Sequence, residues 1–156
     1  MKSTPAKISA LIFFAFFLPF SVTAEFSLRL DASEEEFIAV LGNPKSRETE
    51  PHLPNRDWDS VFFHYENLTI RTYRIIGKIN TLFVSDSRYS VDIDGIKIRC
   101  GESKDDIEEK IGEGTLLDRK SPTPTYYYCL TDFRELEITY TDGIACNIWY
   151  GYADPE

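Results

Sequence analysis

The sequence predicts an α+β fold: two tandem units, each a short helix packed on an antiparallel meander, the two sheets joined into one curved sheet with the helices on one face. Three observations predict it. "DASEEEFIAVLGNP" and "GESKDDIEEKIGEG" align at an offset of 70 residues. Each is followed, after an irregular stretch, by three strand-like runs. Aspartate-glycine pairs stand between alternating runs, where tight turns belong.

The first element lies outside that fold. Lys2 and Lys7 make a basic start, "ISALIFFAFFLPF" an apolar stretch, and "SVTA" a small-residue cleavage site, so residues 1–24 read as a signal peptide cut after Ala24. The apolar run is too short, and too promptly followed by Glu25, to span a membrane. No cysteine near the cut offers a lipid anchor. The expectation is a periplasmic or secreted protein with no membrane insertion after cleavage. Its mature chain of 132 residues is long enough to bury a core. Losing two lysines and no acids leaves 15 basic against 26 acidic residues, a net charge of −11. Nucleic acids and anionic membrane surfaces reward the opposite sign, so neither is expected as a partner.

The two units are residues 25–86 and 87–156. Leu28, Arg29 and Leu30 of the first fall on Ile98, Arg99 and Cys100 of the second, each a short strand. Ser33 and Ser103 follow as N-caps, with Glu36 and Asp106 three residues on, where an acid can reach back to the cap. Phe37, Val40 and Leu41, then Ile107 and Ile111, give each helix one narrow apolar stripe. Gly42 and Gly112 stop the helices, in the left-handed conformation that ends many of them. The acids on the outer faces are a solvated surface.

Strands come next. "SVFFHY", "NLTIRTYR" and "KINTLFV" form the first meander, and "PTYYYCL", "ELEITYT" and "IACNIWYG" the second. Leu68, Ile70 and Thr72 correspond to Leu136, Ile138 and Tyr140 with the alternation of half-buried strands. "SVDIDGIKI" reads as a hairpin turning at Asp94-Gly95, and "YTDGIA" turns at Asp142-Gly143. "NPKSRETEPHLPNRD" and "EGTLLDRKSPTPT" read as irregular. Joining the two sheets edge to edge covers exposed edges and enlarges the core.

The run of a strand, a serine-capped acidic helix start, a helix ending in "LGNP" or "IGEG" and a meander resembles two related groups over residues 26–152. One is the small outer-membrane lipoprotein of the barrel-assembly machinery. The other is the beta-lactamase-inhibitor protein family, whose curved sheet grips an enzyme. The resemblance implies a protein-binding role, inhibitor-like or assembly-linked.

Catalytic patterns are missing from the sequence. His52 and His64 have no ligand partners in sequence, and no nucleophile elbow, zinc-protease motif or phosphate loop is present. Asp92, Asp94 and Gly95 imitate a calcium loop, but Ser90 and Gly101 stand where its first and last ligands belong. No cofactor, metal or enzymatic activity is expected. In an oxidising compartment two of Cys100, Cys129 and Cys146 pair and one thiol remains, in any of three pairings. What stands out is aromatic content. If Leu68, Ile70, Ile79 and Phe83 face the helix, the other side of the sheet carries Arg71, Tyr73 and Leu82, joined by Tyr127, Asn147 and Trp149. Tyrosine, tryptophan and arginine are the residues of protein-binding hot spots. The expectation is an exported, non-enzymatic module docking a protein through that face, of inhibitor or immunity type. The alternative is a cell-envelope assembly or structural accessory protein.

Overall fold

The computed structural model describes residues 25–117, 122–131 and 133–153, so the signal-peptide reading falls outside the described residues. Its strands are β1 (Phe26–Leu28), β2 (Ser46–Glu50), β3 (Ser60–Tyr65), β4 (Leu68–Tyr73), β5 (Ile79–Val84), β6 (Tyr89–Ile93), β7 (Ile96–Arg99), β8 (Thr115–Leu116), β9 (Thr125–Cys129), β10 (Arg134–Thr141) and β11 (Ile144–Tyr152). Two helices, α1 (Glu34–Leu41) and α2 (Lys104–Ile111), and a 3₁₀ turn at Arg56–Trp58 complete the elements among the described residues.

The α+β expectation of two helix-plus-meander repeats is corrected: the chain is mostly β. Eight strands form one antiparallel sheet in the order β2-β3-β4-β5-β11-β10-β9-β8, and β1-β6-β7 form a second. Each helix is only eight residues long and fully buries one side chain, Phe37 or Ile107. Such helices plug one side of a sheet rather than form a layer of their own. Both stretches read as irregular supply an extra strand, β2 and β8, at the two edges of the large sheet. The hairpin β6–β7 turns at Asp94 and Gly95, both at positive φ, and pairs through β6 with β1 in parallel.

Local chemistry explains the helix ends. Around α1 the Ser33 hydroxyl accepts the Glu36 N–H, and the Glu36 carboxylate accepts the Ser33 N–H at 2.6 Å. In α2 the acid is one methylene shorter. Ser103 accepts the Asp106 N–H, and its hydroxyl donates to the Asp106 carboxylate at 2.6 Å, so the return bond to the backbone is not made. Gly42 and Gly112 have φ of 79° and 90° with ψ near 180°. That is a region essentially reserved for glycine, though not the left-handed helical one expected. Ser33→Ala or Ser103→Ala is expected to cost about 1 kcal/mol each, read as a lower urea midpoint at constant slope.

One core joins all of this. Its floor is one face of the large sheet, from Val61 and Phe63 through Leu82 and Tyr150 to Leu136, Ile138 and Tyr128. Phe37 of α1 meets Phe63 edge-on at 5.1 Å, and Lys104 of α2 lies 4.5 Å over the Tyr126 ring. The small sheet lies on the same side, tied down by the Arg134 guanidinium donating to both Asp94 oxygens at 2.9 and 2.7 Å.

A second tie is titratable. Asp86 accepts from the Arg88 side chain and backbone and from the Asn67 amide, which hold its carboxyl down to about 2, against 3.8 ordinarily. A carboxyl depressed by folding adds stability that is complete above its unfolded value and is lost as pH falls through the folded one. The chain should therefore lose stability between about pH 4 and pH 2 in part through Asp86. Asp86→Asn is expected to flatten that acid limb in urea titrations, while lowering stability at neutral pH.

Candidate functional site

Helices and small sheet cover one face of the large sheet, and the described residues leave most of the other bare, with only the loop that carries Trp58 reaching Tyr73 at one end. Strand register places the side chains of that face in rows. One crosses the whole sheet: Ser46, His64, Thr69, Phe83, Trp149, Glu137, Tyr127 and Thr115, each opposite the next on the adjoining strand. Phe83 and Trp149 stand at the seam where β5 meets β11, edge to face at 6.4 Å.

The expected face residues divide. Arg71, Tyr73, Tyr127, Asn147 and Trp149 lie on the bare face, but Leu82 does not: it is fully buried in the core. Its neighbour Phe83, 39 % exposed, takes the outward place. The cause is a register shift in the β4–β5 pairing, where Arg71 opposes Thr81 but Thr72 opposes Ile79. One extra residue, Asn80, reverses the parity of all that follow it on β5. A second shift, between Thr139 and Tyr140, leaves Cys146 unpaired on β11.

Close packing supports the seam. Gly151 lies opposite Thr81, and a Cβ on it would sit 2.9 Å from the Thr81 hydroxyl and 3.1 Å from the Asn80 carbonyl. Its absence lets Thr81 bury and accept from Arg71 Nε at 3.1 Å. Arg71 also donates to the Asn80 side chain at 2.9 Å and lies 5.4 Å over the Tyr73 ring.

Two concavities open on this face. One, about 350 Å³, lies at the seam between Thr69, Phe83, Trp149, Asn147 and Glu137. The other, about 400 Å³, lies between Arg71, Tyr73, Trp58 and His52. Trp58, which sequence reasoning missed, meets Tyr73 edge-on at 5.6 Å. Its loop is organised by Asp59, fully buried. Burial opposes ionisation of that carboxyl, but the His52 N–H, Arg56 and Arg74 outweigh it and hold it below its ordinary range. Next to this loop Ile75 and Ile76 are exposed, Ile75 donating its N–H to Asp57.

His64 stacks on Phe62 and shares a hydrogen bond with Thr69 through Nδ1 at 3.1 Å. Its Nε2 has no hydrogen-bond partner and lies 3.7 Å from the Glu48 carboxylate. His52 serves through its backbone. Among the described residues no three of His, Cys, Asp and Glu gather as metal ligands. The expected cysteine pairing is not formed: Cys100 is buried, Cys129 exposed and Cys146 half-buried, all as free thiols. Burial pushes the Cys100 thiol up to about 12. No helix among the described residues is long and apolar enough to cross a membrane.

Compared with known proteins, the chain matches no protein-family model and no curated protein. Two solved structures are similar to it. An extracellular protein containing an SCP domain from Bacillus anthracis str. Ames is 10 % identical over 79 % of this chain and 44 % of its own, with a TM-score of 0.49. The uncharacterized protein YfeY from Escherichia coli is 13 % identical over 82 % of this chain and 99 % of its own, with a TM-score of 0.47. This chain thus spans less than half of the SCP-domain protein. Likenesses this distant carry no functional argument.

Proposed function

We propose that the chain is an exported, non-enzymatic module, periplasmic or secreted, that docks a protein partner through the bare sheet face. The observation that carries this reading is the placement of Phe83 and Trp149. Two large aromatics stand side by side at the middle of this face, over a concavity, where burial against a partner is the gain available to them. Tyr73, Trp58 and Arg71 extend the same surface with residue types enriched at hot spots. The motif resemblance to the beta-lactamase-inhibitor proteins favours the inhibitor or immunity form of the role.

Affinity capture tests it. Protein tagged at its C-terminus, expressed from the full chain, is mixed with envelope and secreted extract beside a Trp149→Ala, Tyr73→Ala variant of equal thermal stability. The expected result is a stoichiometric partner that the variant loses. A partner kept by the folded variant would overturn the sheet-face reading. Activity of the purified partner then separates inhibition from simple retention.

A further inference from the structure

We propose that the seam concavity receives a lysine or arginine side chain projected by the partner; this rests on the docking reading above. The ligand class follows from what lines the hollow. Among the described residues that line it, the one charged side chain is Glu137, directly opposite Trp149. Glu137 is half-buried and makes no hydrogen bond or ion pair with a described residue. A carboxylate partly withdrawn from water and left without a donor is a site for an incoming cation.

The walls suit the rest of such a side chain. Phe83 and Trp149 offer π-faces, which attract an alkyl ammonium or guanidinium within about 6 Å of the ring. Thr69 and Asn147 bring oxygen acceptors to the same hollow. At about 350 Å³ the space admits a long aliphatic stem with its charged head. The net charge of −11 beyond residue 24 draws basic partners at long range, and Glu137 fixes where one of their cations ends. An anionic or plainly apolar occupant would leave this carboxylate uncompensated.

The test uses short probes. Isotope-labelled protein from the full chain is titrated with acetyl-Gly-Arg-Gly-amide, its lysine counterpart, and acetyl-Gly-citrulline-Gly-amide, a neutral isostere of the arginine peptide. The expected result is that both cationic peptides bind in the ~mM range and shift signals around Trp149, with the citrulline peptide about tenfold weaker. Glu137→Gln should remove that difference by weakening the cationic peptides alone, with an unchanged melting temperature. Added salt should weaken the arginine peptide and spare the citrulline one. Equal binding of arginine and citrulline peptides, unchanged affinity in Glu137→Gln, or no shifts around Trp149 would each overturn the proposal. The docking reading fails separately. A captured partner lost by the Trp149→Ala, Tyr73→Ala variant but bound normally by Glu137→Gln leaves the docking face intact and removes the cation pocket.

Discussion

Leu82→Ala will lower the stability of the protein by about 3 kcal/mol and its melting temperature by about 10 °C, whereas Phe83→Ala, one residue on, will cost under about 1 kcal/mol. Leu82 is fully buried and stands in a row between Ile70 on β4 and Tyr150 on β11, both as deeply buried. Hydrogen-bonded strands on each side hold the backbone apart, so the truncation leaves a cavity that cannot collapse. Phe83 looks the other way, toward Thr69 and Trp149 on the bare face, and its truncation gives up only part of one aromatic contact. Urea and thermal unfolding of the two variants decide the matter. Equal losses, or the larger loss at Phe83, would show that β5 runs without the extra residue and that the bare face is drawn wrongly.

That pair also marks where sequence alternation stops being informative. In "KINTLFV" the inward residue Ile79 sets a parity that, carried straight on, sends Phe83 in and Leu82 out. Two adjacent large apolar residues fit either parity, and nothing in their side chains announces the irregular residue between Ile79 and Thr81. Runs without such a shift, "SVFFHY" and "NLTIRTYR", put Arg71 and Tyr73 where alternation says. The edge strand β2 was hidden for another reason. "SRETE" has no apolar residue to alternate, since an edge strand with charged side chains is built to resist further pairing. Its register with β3 extends the sheet all the same. The fold class went astray through these edges. Capped helix starts are conspicuous in a sequence, but two turns of helix weigh little beside eight strands joined through β5 and β11.

The site was legible as residue types and illegible as a row. Trp149, Tyr127 and Asn147 could be assigned a side because β9 and β11 alternate near them. Glu137 could not be singled out, because a carboxylate on an outward strand position is ordinary until register sets it between Trp149 and Tyr127. Trp58 belongs to a charged, proline-containing loop with no period, and only the buried Asp59 brings it against Tyr73.

With a partner in hand, Trp149→Ala is expected to weaken binding by at least about 2 kcal/mol, roughly thirtyfold, while Tyr127→Phe changes it by under about 0.5 kcal/mol. Trp149 lies mid-row, shielded on either side by further strands, so a docked surface excludes water from it completely. Tyr127 lies nearer the edge, and its hydroxyl already donates to Glu135 at 3.2 Å within the chain. A partner gains little from it. The competing role for Trp149 is structural, as half of a cross-strand pair with Phe83, and a double-mutant cycle separates the two. Measured in unfolding, the Phe83–Trp149 coupling should be about 1 kcal/mol or less, the worth of a single edge-to-face contact. Measured in binding, the loss at Trp149 should exceed that coupling, because the indole face and its apolar area are then buried by the partner. If the whole effect of Trp149→Ala appears in unfolding and none in binding, the aromatics at the seam hold β5 to β11 and the docking surface lies elsewhere.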